Sequence, residues 1–473
     1  MTAPWQLGAT EMVAAFQAGT LTPLQALQAC LARIETVNPA LNAFVAMRTD
    51  GALADAQAST ERYARSAPLS PLDGVPIGIK DNLPTSDLPT TWGSIAGHKY
   101  LAAQDELAVA RARTAGLVIV GKTNVPEFTL EGYTHNTLFG TTRNPWNPRL
   151  TPGGSSGGSV AAVAAGMVPL ALGTDGGGST RRPAGYTGLV GFKPSIGAIA
   201  REDNLPPLLL DFEVVGPIAR RMVDLQRLFE VVAGPHAADP GSFAALGAAR
   251  EMPKRLRVLY VATLGESPVD PAIAAACEVG ARRLEALGHS VSAGALPLVL
   301  KTLIATWPHI GQIGLAWLLA KYPRWREGAG ERYLEMASQG AAWPATMLWQ
   351  TMETAEQLRR DAAHLFEGVD LIAMPSSAAM PWLAEETHPP IIAGHAVGTR
   401  GHAIFTGWVN AAGLPALNVP VEPAGGLPIG LQLIGPFGSD AALLALGEAF
   451  ETQGGSPWTW PSLLPEPTGV GRA

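Results

Sequence analysis

Two glycine-rich loops, each carrying serine, constrain this chain more than any other feature. The first reads Gly153-Gly154-Ser155-Ser156-Gly157-Gly158-Ser159 and runs into the small-residue segment Val160 to Met167, a predicted helix. The second reads Gly173-Thr174-Asp175-Gly176-Gly177-Gly178-Ser179 and follows the short apolar run Leu170-Ala171-Leu172, a predicted strand. A loop that opens a helix and a loop that closes a strand belong to a fold in which the two kinds of element alternate. The rest of the chain keeps that alternation. Leu72 to Lys80 reads as a turn and then a strand ending at Lys80, Glu106 to Ala115 as a helix, and Leu117 to Val120 as a buried strand. Arg257 to Val261, Pro271 to Leu287 and Ser290-Val291 read as strand, helix and strand. Leu371 to Met374, Ala416 to Val421 and Ile429 to Ile434 add strands before a last helix from Ala441 to Gln453. The N-terminal part is helical. Thr22 suits an N-cap and Pro23 the first turn of a helix over Leu24 to Val37, with a second helix over Gly51 to Ala64. The fold class is α/β.

Composition narrows the function. With 473 residues the chain can bury a large core, and a net charge of −7 without a basic run gives no footprint for nucleic acid. Cys30 and Cys277 are far apart and without CxxC spacing, which argues against a disulfide framework and a zinc site; neither metal nor cofactor is expected. Met1 to Trp5 lack the basic and apolar regions of a signal peptide, so a cytoplasmic location is expected. No stretch of 18 apolar residues occurs; the nearest candidate, Thr302 to Leu319, is interrupted by Pro308, His309, Gly311 and Gln312, and no membrane span is expected.

One motif misleads. Gly116 to Thr123 matches the phosphate-loop pattern GxxxxGK[ST], yet its variable residues Leu117-Val118-Ile119-Val120 are apolar and mostly β-branched. A phosphate loop must curl around oxygens, whereas these residues fill a buried strand, so nucleotide binding is not expected. The two serine loops carry more weight. Serine is a poor nucleophile until a base takes its proton. Successive backbone N–H groups at Gly176, Gly177, Gly178 and Ser179 suit an oxyanion hole, because glycine lets the chain curl tightly. Histidine is the usual base, but the nine histidines are scattered. His135, in Tyr133-Thr134-His135-Asn136, reads as a wall or structural residue rather than a base. Lysine can replace histidine when burial makes it neutral, and Lys80 lies in a context that suggests burial.

These segments together resemble the amidase signature family. Gly153 to Gly166 is similar to its GGSSGGS-x-AA-x-AAG core, Gly173 to Pro183 to its GTDxGGSxRxP segment, and Gly74 to Asp81 to its GVPxxxKD segment. Further likeness lies in Gly121 to Phe128, Thr142 to Trp146, Gly188 to Pro194, Ala412 to Ala416 and Gly430 to Gly435, fading over about 265–370. The resemblance implies a large mixed central β-sheet with helices on both faces. It also implies one domain: a helical segment 1–66, a catalytic core 67–260, a variable substrate cover 261–370 and the rest of the core, 371–473. The implied triad has Ser179 as nucleophile, Ser155 as proton relay at a cis peptide, and Lys80 as general base. Gly176, Gly177 and Gly178 would hold the oxyanion, with Ser156, Thr174, Asp175 and Arg181 as supports and Thr129, Tyr133 and His135 as substrate contacts. Arg182 departs from the pattern, where an apolar residue is usual, and is expected to face solvent.

The expected substrate is a small hydrophobic or aromatic amide. Five tryptophans crowd residues 301–350 (Trp307, Trp317, Trp325, Trp343, Trp349), either as core helices or as an aromatic cover over the pocket, and Leu205 to Leu210 form an apolar loop. Carbamate or ester cleavage would use the same chemistry. A glutaminase subunit of a tRNA amidotransferase is the other family-level alternative, and a non-catalytic binding protein is disfavoured because all three triad positions are intact. The resemblance makes a homodimer plausible.

Overall fold

The computed structural model describes residues 2–454 and 458–462. Eleven strands form one mixed sheet. Their spatial order is Phe44–Met47, Val118–Thr123, Pro76–Lys80, Leu170–Asp175, Val214–Ala219, Val190–Lys193, Ala416–Ala424, Leu427–Ile434, Leu371–Pro375, Arg257–Tyr260 and Ser290–Ala293. Alternate side chains of a strand point to opposite faces, and the packing follows that period. Ile77, Ile79, Leu170, Leu172, Leu371 and Ala373 lie in one apolar cluster with Leu225 and Leu228 of helix Met222–Val232, Leu284 of Pro271–Ala286 and Leu443 of Asp440–Gly454. Val118, Val120 and Ala171 belong to a second cluster with Leu27 and Ile34 of helix Pro23–Leu41 and with helix Gly157–Ala164. Ile372 and Met374 join a third, with Leu358 of Ala345–Gly368 and Trp408 of Gly407–Ala411. Each fully buried Leu, Ile or Val is worth roughly 1.5–3 kcal/mol, so covering both faces supplies most of the driving force.

The local signals act as read. Thr22 caps Pro23–Leu41, its Oγ1 accepting from Gln25 N at 3.2 Å while the Gln25 side chain reaches back to the Thr22 N–H at 2.9 Å. The phosphate-loop look-alike is the strand Val118–Thr123, buried at all six positions. Its Lys122 ammonium donates to Leu83 O and, at 3.0 Å, to Thr90 Oγ1 inside the core.

Residues 301–350 split in character. Helix Lys301–Lys321 runs unbroken through Pro308. Among the described residues it is the one helix long and apolar enough to cross a bilayer by length and composition. It packs Leu315, Leu318 and Leu319 against Tyr333 and Ala337 of helix Glu331–Ala342. Trp325 is fully buried against Trp92, with ring centroids 5.5 Å apart, while Trp349 is 78% exposed.

Candidate active site

The sheet brings Lys80 and the second serine loop together. Pro76–Lys80 and Leu170–Asp175 are neighbouring parallel strands in register, Ile77 beside Leu170 and Ile79 beside Leu172, so they end at the same edge. Lys80 is the last residue of one strand and Asp175 the last of the other. The first loop folds over this edge, with the Gly154–Ser155 peptide cis and helix Gly157–Ala164 following. Ser156 N donates to Ser179 O at 3.2 Å and Ser156 Oγ to Thr174 O at 3.1 Å, which stitches the two loops together.

Lys80 is fully buried. Its Nζ donates to Ser155 Oγ at 2.8 Å, Thr174 Oγ1 at 2.8 Å and Thr174 O at 3.2 Å. None of these acceptors is charged. Burial therefore drives the amine down from its ordinary 10.5 to about 7; Glu213 and Asp175 pull the other way, and the Arg201 cation adds to the fall. Lys122 and Lys193 are also buried and lowered, to about 8 and about 7. Of the three, only Lys80 touches a serine hydroxyl: Lys193 donates to Pro194 O at 2.8 Å. Such an amine can accept a proton near neutrality and sits where a hydroxyl can give one.

Asp175 and Arg181 frame the second loop. Arg181 Nε donates to Asp175 Oδ2 at 3.0 Å and Nη2 to Oδ1 at 2.9 Å, both residues being fully buried. Burial alone would raise the Asp175 carboxyl; the Arg181 charge and hydrogen bonds, with Lys193 and Asn410, outweigh it and hold the group well below the usual carboxylate range. The same carboxylate accepts from Gly178 N at 2.7 Å and Thr180 N at 3.1 Å. That revises one expectation: the Gly178 N–H is already taken and cannot serve an oxyanion. Among the described residues no acceptor faces the N–H of Gly177 or Ser179. Gly178 is still required as glycine. Its φ is +107°, and a Cβ there would lie 2.3 Å from Thr406 Oγ1.

Arg182 overturns the solvent-facing expectation. It is 5% exposed, and its guanidinium donates to Gly177 O, to Thr406 Oγ1 at 2.8 Å and to Gly154 O at 3.4 Å. Its place on helix Arg181–Thr187, directly after the loop, turns it inward to tie both serine loops.

Ser179, 8% exposed, opens on a cavity of about 190 Å³. Gly176, Gly177, Thr129, Leu130, Leu209, Trp307 and Met336 help to line it. A second cavity of about 300 Å³, lined by Trp92, Phe128, Asn82 and the loop from Leu205 to Leu210, shares Thr129, Leu130 and Leu209 with the first. Of the three expected substrate contacts, Thr129 lies at the cavity. Tyr133 and His135 do not line it: the Tyr133 hydroxyl accepts from Arg332 at 3.4 Å, and His135 pairs through Nδ1 with Thr141 Oγ1 at 2.9 Å.

Sequence reasoning missed several partners. Asn82 donates to Thr174 Oγ1 at 3.0 Å. Asn410 donates to Asp175 O at 2.8 Å, and Gln432 Oε1 accepts from Arg181 Nη1 at 3.0 Å. Gln432 sits inside a segment already singled out, Asn82 directly after one and Asn410 two residues before one, so their positions carried a signal. The ion pairs of Arg201 with Glu106 (2.8 Å) and Glu213 (3.2 Å) join residues remote in the chain and carried none.

The comparisons with known proteins place the chain in a family. The Amidase family model matches residues 25–444. The chain belongs to the amidase signature family. It is an enzyme of that family, a hydrolase acting on C–N amide bonds. It is 34% identical over 485 residues to a glutamyl-tRNA(Gln) amidotransferase subunit of Symbiobacterium thermophilum, covering 94% of this chain and 96% of that protein. Among solved structures, it resembles a bacterial aryl acylamidase (TM-score 0.85, 28% identity, 96% of each chain). It also resembles 6-aminohexanoate cyclic dimer hydrolase complexed with substrate (TM-score 0.85, 27% identity, 98% of this chain and 100% of that one).

Proposed function

We propose that the protein hydrolyses the C–N bond of a small hydrophobic or aromatic amide through an acyl-enzyme on Ser179. The observation that carries this reading is the 2.8 Å hydrogen bond from Lys80 to Ser155 Oγ, made by an amine lowered to about 7. Lys80 takes the proton of Ser155, Ser155 takes that of Ser179, and the Ser179 oxygen attacks the carbonyl carbon. The N–H groups of Gly177 and Ser179 receive the developing oxyanion, each such donor being worth roughly 3–4 kcal/mol. The proton returns along the same path to the leaving nitrogen. Water then enters, gives up its proton to the relay and releases the acid. Trp307, Leu130, Leu209 and Met336 supply the apolar wall that favours a hydrophobic substrate. Carbamates and esters fit the same steps. We read residues 1–473 as one catalytic domain, since strands from Phe44 to Ile434 share one sheet, with 261–370 as the part that covers the site.

Ser179→Ala tests the reading. Turnover of an anilide panel should fall at least a thousandfold with the circular dichroism spectrum unchanged. Equal turnover in the variant overturns it. The curated relatives favour a second reading, the glutaminase subunit of a tRNA amidotransferase. Turnover of glutamine alone, and only with partner subunits present, would establish that reading in place of the first.

A further inference from the structure

The cavity in front of Ser179 carries more positive charge than its own carboxylates neutralise. Arg182, Arg332 and Arg400 all line it. Arg332 is matched by Glu131 at 2.7 Å, and the other carboxylate at the cavity, Glu213, is held by Arg201 at 3.2 Å. Arg182 donates only to two carbonyls and a hydroxyl, and its buried Nε has no acceptor. Arg400 has neither an ion pair nor a side-chain hydrogen bond among the described residues. A second, independent observation points to a ligand. His402 lines the same cavity at 2% exposure, its ring tilted 55° to that of Trp382 with centroids 4.7 Å apart, and neither of its ring nitrogens has a partner among the described residues.

A buried guanidinium nitrogen and a buried imidazole without partners cost stability unless something else completes them, and Arg400, exposed at the same wall, keeps its whole charge for a ligand. The oxyanion of the reaction does not fill that role, because it is transient and belongs at the N–H groups of the loop. A planar, permanently charged group does. The guanidinium fork matches a carboxylate through two parallel hydrogen bonds. Burial, with the charges of Arg182, Arg400 and His388, keeps the His402 ring neutral, so it can give one hydrogen bond as well. We propose that the Ser179 cavity selects small amides that also bear a carboxylate, with Arg400 as the specificity-determining residue and His402 as the second polar group of that subsite. This rests on the hydrolase reading above and narrows its substrate class: the apolar wall takes the body of the molecule and Arg400 its acid.

Matched probe pairs test it. Succinanilic acid against butyranilide places the carboxylate on the acyl side; 4-acetamidobenzoate against acetanilide places it on the leaving amine. At low ionic strength the wild-type enzyme should favour the acid at least tenfold in kcat/KM in one of the pairs. Arg400→Gln should cut that acid-to-neutral ratio at least tenfold, chiefly through KM, and Arg400→Lys should recover part of it. Equal or better turnover of the neutral probe in both pairs, or a ratio unmoved by Arg400→Gln, overturns the proposal. Calorimetric titration of both acids into Ser179→Ala, with and without Arg400→Gln, separates the two readings. If no probe is cleaved yet an acid binds only when Arg400 is present, the hydrolase reading fails and the carboxylate subsite stands. If neither acid binds in this titration, the subsite is refuted.

Discussion

The pH dependence of kcat/KM is the most direct consequence of how Lys80 is housed. In the folded protein its amine loses the proton near pH 7 instead of near 10.5. That displacement corresponds to about 5 kcal/mol against the buried ammonium. The charged form cannot accept a proton from Ser155, so activity follows the neutral fraction. About half the amine is neutral at pH 7 and about 1% at pH 5, which gives a fall of roughly fiftyfold over those two pH units, with slope one, and a plateau above about pH 8. The sign also applies to stability. The unfolded chain keeps the proton that the folded one releases, so the Lys80 contribution disfavours folding most below pH 7 and is relieved as pH rises from about 7 to 10.5. Glu213 supplies the largest pull in the opposite direction, so Glu213→Gln should move the midpoint to lower pH and raise activity at pH 6 relative to pH 8. Arg201 keeps Glu106 as a partner in that variant. Initial rates of aniline release from pH 5 to 9 at constant ionic strength decide the matter. A level profile between pH 5 and 7, or a Glu213→Gln midpoint that climbs, would refute the assignment of Lys80 as the base.

Other perturbations probe the frame around it. Arg182→Leu frees the carbonyls of Gly177 and Gly154 from their shared donor and should cost roughly 1–3 kcal/mol in kcat/KM; Lys at that position should restore part of the rate. Asp175→Asn leaves Arg181 a buried cation without its charge partner and should destabilise the fold by roughly 3–5 kcal/mol, read as a drop in urea midpoint. Gly176→Ala would set its new methyl 2.5 Å from Leu209 Cδ1. It should slow turnover, and the pair Gly176→Ala with Leu209→Ala should regain it, because the obstruction is the end of a movable side chain.

Much of the fold was legible because strands such as Leu170–Asp175 and Leu427–Ile434 carry short apolar runs beside glycine or proline, and because helix starts such as Thr22-Pro23 carry their own caps. Residue type and setting pointed to Lys80 and the two serine loops, while the choice of Ser155 and Ser179 within them came from the family resemblance. What escaped depends on tertiary neighbours. Arg182 looked like a surface charge because no local feature shows that Thr406 and two loop carbonyls wait for it. Gly178 looked like an oxyanion donor because its competition with Asp175 for one N–H appears only when the loop is folded. The strand Val214–Ala219 escaped because Gly216 and Pro217 break its apolar run, yet it pairs residue by residue with Leu170–Asp175. Helix Lys301–Lys321 absorbs Pro308 because neighbouring helices hold it.

Asn410 and Gln432 brace Asp175 and Arg181 from the far end of the polypeptide. During synthesis, the ribosome has long since released Lys80, Ser155 and Ser179 when those two amides emerge. A nascent chain ending at residue 400 therefore owns every atom of the proposed relay but not the clamp around its loop, and on that reading hydrolytic power arrives only with the closing strands.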